Sequence, residues 1–278
     1  MKHRNYIFVL LAACMFLASC GGVPRLNTFE QGVEFLDYSD YPRAIEKFKK
    51  HIRTHGEDVS VCYNLGVCYQ DQNNLDESVI WYEKALEYDP NDGDTLVNLG
   101  LVYLKQGRDA AALARFKRAS EVEKDRGYPL TAIGIYYARV GKLDLSREYF
   151  DRSLRRENNS GYTWFHYAAL HEKDQRFGDA AQAYERSTDF DSTYAAAYEG
   201  AGRCYMKLRN WRKAVMNFEF AVHLVPEKPE LYIGAADALF ELGRYERAVK
   251  YLWAARGLTS ADDPEVRVRL LKIYPKLI

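Results

Sequence analysis

Small, aromatic and polar positions along the chain recur on one long period. Gly32, Gly66, Gly100, Gly134 and Gly202 stand on a series of step 34, and its two remaining terms are Ala168 and Ala236. Three residues further on, the same step collects Phe35, Tyr69, Tyr103, Tyr137, His171, Tyr205 and Leu239. Twelve further on come Ala44, Ser78, Ala112, Ser146, Ala180, Ala214 and Ala248. Sixteen further on come Phe48, Tyr82, Phe116, Phe150, Tyr184, Phe218 and Leu252. Self-similarity at such a period marks a repeat architecture. A small residue lets two helices cross at the usual interaxial distance of about 8–10 Å, and an aromatic fills the space beside the crossing. Gly107, Gly141 and Gly243, seven after the small residue, predict helix ends in the left-handed conformation. Pro90 and Pro226 predict the stop of a second helix.

The best-formed copies run from Tyr63-Asn64-Leu65-Gly66 through Ala85 to Pro90, from Leu96 and Gly100 through Ala119, and from Tyr198 and Gly202 through Ala221 to Pro226. This pattern resembles the tetratricopeptide repeat, a helix–turn–helix unit, and covers roughly residues 25–262. The resemblance implies an all-α fold: a solenoid wound into a right-handed superhelix, with a concave surface made by the first helix of each repeat. Seven repeats are expected, at 25–58, 59–92, 93–126, 127–160, 161–194, 195–228 and 229–262. The first is the most degenerate, with Gly56 where Pro is common, which suits a terminal unit. Pro264 predicts one more helix, through about Tyr274. This capping helix, within 263–278, is expected to cover the last repeat and turn a polar side outward.

The amino terminus departs from the period. Lys2 and Arg4 precede an apolar run from Tyr6 to Ala18, shorter than the ~20 residues that span a bilayer but suited to a signal peptide. The run ends in Leu17-Ala18-Ser19-Cys20, followed by Gly21-Gly22. These residues resemble a bacterial lipobox, which implies a signal peptide over 1–19, an acylated Cys20, and a short tether over 20–24. Gly21 after the cysteine, rather than Asp, implies sorting to the outer membrane, facing the periplasm; a cell with one membrane would hold the protein there instead.

Composition narrows the partners. Of 278 residues 47% are hydrophobic, enough for a substantial core, and Lys+Arg and Asp+Glu both number 39. A chain without basic surplus makes no electrostatic case for nucleic acid or anionic lipid. Cys62 and Cys68 lie six apart on one predicted helix, pointing roughly 240° apart with Cα atoms about 9 Å distant, too far to bridge. With Cys204 they read as buried small hydrophobes, not as a disulfide framework or zinc site.

No motif for nucleophilic, phosphate-binding or metalloprotease chemistry occurs, so no catalysis, cofactor or small-molecule substrate is expected. His51 and His55, four apart on a helix, would make half a metal site, but no further ligands are evident. The repeat register instead places Tyr63, Asn64 and Val67, then Val97, Asn98 and Leu101, on the concave surface. Tyr128, Thr131 and Ile135 follow, then Tyr162, Phe165, His166 and Ala169. Glu199, Arg203, Ile233 and Asp237 complete the series. Relatives that clamp a peptide carboxylate place Lys at positions held here by Tyr63, Val97 and Thr131, so that clamp is not expected. An apolar, aromatic groove suits the apolar face of a partner helix or an extended segment; equally, several of these residues could serve packing between repeats. Lys105, Arg139, Lys173 and Lys207 form a cationic ladder at step 34, which reads better as complementing helix dipoles than as a binding stripe.

The expected function is that of a non-catalytic, membrane-anchored scaffold for protein partners in the bacterial envelope. By architecture it resembles the type IV pilus pilotins, whose usual six repeats compare with seven here. An outer-membrane protein assembly subunit and an adaptor for peptidoglycan hydrolases stand as alternatives built from similar parts.

Overall fold

The computed structural model of the protein describes residues 26–259 and 263–276. The expected signal peptide, Cys20 and the tether lie outside these residues. The described residues form α-helices and one 3₁₀ turn, with no strand. They group into two compact units, one ending at Lys124 and the other beginning at Asp125. The first unit holds α1 (Thr28–Asp37), α2 (Tyr41–His55), α3 (Val59–Asp71), α4 (Leu75–Tyr88), α5 (Gly93–Lys105) and α6 (Asp109–Val122). The second holds α7 (Tyr128–Arg139), α8 (Leu143–Arg156), α9 (Gly161–Lys173), α10 (Phe177–Phe190), α11 (Ala195–Lys207), α12 (Trp211–Leu224), α13 (Pro229–Glu241), α14 (Tyr245–Leu258) and α15 (Pro264–Ile273), with the 3₁₀ turn at Tyr274–Lys276. Within each unit every odd-numbered helix packs on the even-numbered one that follows, and each hairpin packs on the next. The last, α15, packs on α14.

The small and aromatic series meet inside each hairpin. A Cβ placed on Gly66 would lie 2.5 Å from the Tyr82 ring, and one on Gly100 would lie 2.3 Å from Phe116. Tyr82, Phe116 and Phe150 are wholly buried by this approach. Where the twelve-on series carries serine instead of alanine, the hydroxyl ties the two helices together: Ser78 Oγ donates to the Gly66 carbonyl at 2.9 Å and Ser146 Oγ to that of Gly134 at 2.8 Å. Cys62, Cys68 and Cys204 are free thiols in the core. Burial pushes the Cys62 thiol up to about 11 and those of Cys68 and Cys204 up to about 12.

Each first helix ends in a residue of positive φ. Gly107, Gly141 and Gly243 adopt it as the sequence predicts, and Ser39, Asn73, Gln175 and Arg209 adopt it at the same step of 34. A left-handed non-glycine residue costs roughly 1–2 kcal/mol, yet the turn still closes, with the next amide donating back into the helix as from Arg176 to the His171 carbonyl at 2.9 Å. Gln175 is exposed, with φ +56. Gln175→Gly is therefore expected to raise stability by about 0.5–1 kcal/mol, the relief of strain less the entropy of glycine. A shift in the urea midpoint measures it, and a midpoint that falls would show that the side chain matters more than the backbone.

The terminal helix differs from expectation. Val266, Leu270 and Ile273 are buried, and Arg269 holds both carboxylate oxygens of Asp237 at 2.8 and 2.9 Å. Its outward side is mixed and not simply polar, because Val268 and Leu271, 64% and 62% exposed, stand there among the exposed Glu265, Arg267 and Lys272. Their spacing of three puts both on the face opposite the buried residues, which a simple apolar–basic alternation obscures.

Candidate partner-binding groove

In the first unit the sequence places six groove residues on α3 and α5. Tyr63, Val67, Asn98 and Leu101 are partly exposed, and Asn98 Nδ2 donates to the Tyr63 hydroxyl at 3.0 Å, joining the two helices. Asn64 is largely buried, its amide donating to the Ser60 carbonyl at 2.8 Å. Val97 is fully buried and cannot touch a partner. Its expected place on the groove is corrected to the core.

The second unit brings the aromatic positions together. Tyr128 on α7 meets Tyr162 on α9 edge-on with ring centroids 5.9 Å apart. Tyr162 meets His166 at 4.4 Å, and Phe165 meets His166 at 5.1 Å. Phe165 also lies 4.7 Å from Tyr194, just before α11, and 5.7 Å from Tyr184 of α10. Tyr194 ends its repeat in a connecting segment, where register along the first helices gives no signal. Burial holds the His166 imidazole down to about 4, raises the Tyr162 hydroxyl well above its ordinary range, and pushes Tyr194 up to about 12. At neutral pH the cluster is an uncharged aromatic surface.

Thr131, expected on this face, is fully buried and is corrected to the interior. Its hydroxyl lies 2.8 Å from both Ser153 Oγ and Thr163 Oγ1, and Ser153 donates to the Gly127 carbonyl at 2.9 Å. A Cβ on Gly127 would come within 2.8 Å of the Ser153 carbonyl oxygen, so α7 starts pressed against α8 and its first turn turns inward. Ile233 is likewise buried.

Ile135, His166 and Ala169 share a concave cavity of about 230 Å³ between α7 and α9. Beyond it the surface becomes ionic. Arg203 donates to both oxygens of Glu172 at 3.1 Å and pairs with Glu199 at 3.2 Å. Lys228 pairs with Glu199 at 2.6 Å, and the Tyr184 hydroxyl donates to Glu172 at 2.8 Å. Arg203 is thus exposed but tied, bracing α9 against α11, and Glu172 and Lys228 are members the sequence reading missed. Their separation by 31 and 29 residues from their partners is the step of the repeat less a few, a signal legible only once the helices are paired.

The cationic ladder sits where a dipole is best complemented. Lys105, Arg139, Lys173 and Lys207 each stand in the last turn of a first helix. Lys173 goes further and donates to the Ala138 carbonyl, at the end of α7, at 2.6 Å. His51 and His55 stack at 4.5 Å, and among the described residues no group of three or more His, Cys, Asp or Glu could hold a metal ion.

Comparison with known proteins bears on this architecture. Two family models, both described as tetratricopeptide repeat, match the chain, one at residues 58–125 and the other at 131–195 and 199–263. The tetratricopeptide repeat protein 30 homolog of Aedes aegypti is 29% identical over 101 residues, which is 36% of this chain but only 14% of that protein's length. A chain of the APC/C hetero-tetramer Cut9–Hcn1 is similar with a TM-score of 0.71 at 14% identity, covering 87% of this chain and 48% of that one. The crystal structure of PilW, a widely conserved type IV pilus biogenesis factor, is similar with a TM-score of 0.64 at 17% identity, covering 76% of this chain and 98% of that one. At such identities the structural likeness speaks to the fold.

Proposed function

The chain belongs to the tetratricopeptide-repeat family, and from that premise we propose that it is a non-catalytic scaffold which holds a protein partner against the aromatic surface of α7 and α9. The observation that carries this reading is the uncharged cluster of Tyr128, Tyr162, Phe165, His166 and Tyr194. Aromatic side chains dominate the hot spots of protein interfaces, because they bury much area at little entropic loss. A helix or extended segment with an apolar stripe is the complementary partner. In this proposal Cys20 carries lipid, and the chain works at the periplasmic face of the outer membrane. The tether over 20–24 then keeps the groove near the bilayer and raises the effective concentration of membrane partners. Likeness to PilW supports a place in type IV pilus assembly, as a pilotin-type factor.

A photo-crosslinking residue tests the groove in cells. Placed at Tyr162 it is expected to trap one protein, and Phe165→Glu to abolish the adduct while helical content is unchanged. Phe220, half exposed on the second helix α12, serves as the control position. An adduct that forms equally from Phe220, or that survives Phe165→Glu, would place the binding surface elsewhere. Mass spectrometry of the adduct decides the pilus reading, since a partner outside pilus assembly removes it.

A further inference from the structure

The last helix, α15, buries one side and leaves an apolar stripe on the other. Val266, Leu270 and Ile273 lie inside, Arg269 holds Asp237 of α13, and Lys272 Nζ sits 4.5 Å from the centre of the Phe240 ring, also on α13. The opposite side carries Pro264, Val268 and Leu271, all exposed, which fall within about 60° of one another around the helix axis. No other described leucine, isoleucine or valine is as exposed as Val268 and Leu271. Pro275, exposed in the closing 3₁₀ turn, continues the stripe. Single apolar side chains scatter over any surface, but a row at spacings of four, three and four has the pattern of a coiled-coil seam.

The flanks of the stripe say what covers it. Glu265 and Lys272 lie along one flank, Arg267 and Tyr274 along the other. Glu265 gives one carboxylate oxygen to Arg269 at 3.0 Å, an arginine that Asp237 already neutralises, and its other oxygen remains to accept. Lys272 rests on a ring face, and among the described residues its three donors make no hydrogen bond. In an antiparallel pair of such helices Val268 of one copy meets Leu271 of the other, and Pro264 meets Pro275. Glu265 then faces the other copy's Lys272, and the Arg267 guanidinium faces the other copy's Tyr274 ring, each contact occurring twice. A parallel pair would set Arg267 against Lys272, cation against cation.

We propose that the outward stripe of α15 is covered by the α15 of a second copy of this chain, the two helices running antiparallel about a twofold axis. The helix has ten residues, so the contact falls short of the ~1,600 Å² of a standard interface, and a dissociation constant of about 1–100 μM is expected. The pairing stands apart from the groove reading, because Tyr162 and Phe165 lie on α9 and take no part in it.

The test uses the full chain in detergent, with its mass read by light scattering after the detergent's share is subtracted. At ~100 μM the mass is expected to approach that of two chains, and to fall to that of one on dilution. Val268→Glu alone and Leu271→Lys alone are each expected to give single chains of unchanged helical content, since both positions are exposed. Mixed in equal amounts, the two variants are expected to pair again. The introduced acid then faces the introduced base across one layer of the seam, while the native Leu271 and Val268 meet across the other. Parallel helices would allow no such rescue. A chain that stays single at ~100 μM leaves the stripe to some other partner and overturns the proposal. So does a pair that survives both substitutions, or a mixture of the two variants that fails to form one.

Discussion

Phe116→Ala is expected to lower the stability of the first unit by about 3–5 kcal/mol, read as a drop in the urea midpoint. Phe116 is fully buried on α6, and its ring occupies the space that a side chain at Gly100 would need. Truncation removes the ring's contacts with α5 and leaves a hollow at the crossing of the two helices. Gly100→Ala attacks the same crossing from the other side: its Cβ would fall 2.3 Å from the ring, closer than real atoms approach, so ring or backbone must move at a cost of about 1–3 kcal/mol. The combination is the sharper measurement. With the ring gone the added methyl meets no obstacle, so the double variant is expected to lose less than the two single losses combined. Simple additivity would mean that glycine serves this position for some reason other than the ring.

The second large effect concerns the proposed anchor, and it is all or none. Cys20→Ala is expected to move the protein from the membrane pellet to the soluble fraction and to remove the acyl mass from its amino terminus. Acylation contributes about 0.8 kcal/mol for each buried methylene, so two or more chains hold a protein against dilution, whereas none leaves nothing comparable. The apolar run from Tyr6 to Ala18 is shorter than the ~20 residues a spanning helix requires, and no described helix is long and apolar enough to cross a membrane. Variant protein that still sediments with membranes would show that something other than this thiol attaches it.

The hairpins were legible because their cause is local. A small residue and an aromatic sixteen positions later are both needed for one crossing, and the need returns every 34 residues, as with Gly66 and Tyr82. The left-handed turns were legible only where glycine marks them; Gln175 and Arg209 take the same conformation because the packed helices on either side impose it. The groove was harder to read. Val97 and Thr131 share the register of Tyr63 and Phe165, yet they lie inside, Thr131 because its hydroxyl joins a buried cluster with Ser153 and Thr163. Register states which way a side chain leaves its helix, not how closely the next helix covers it. Ionic braces such as Glu172–Arg203 and the hollow at Ala138 and Ala169 depend on which helices are neighbours, so they appear only in the folded chain.

The thiols of the core have a practical consequence. With Cys62 raised to about 11 and Cys68 and Cys204 to about 12, only about one molecule in ten thousand or fewer carries a reactive thiolate at neutral pH, and burial denies reagents access even to that. Alkylation at these positions must therefore wait for the surrounding helices to part. Cys62 and Cys68 report on α3 in the first unit and Cys204 on α11 in the second. The native chain thus carries its own pair of clocks, and the labelling rate at each site times the opening of its unit without any engineered probe.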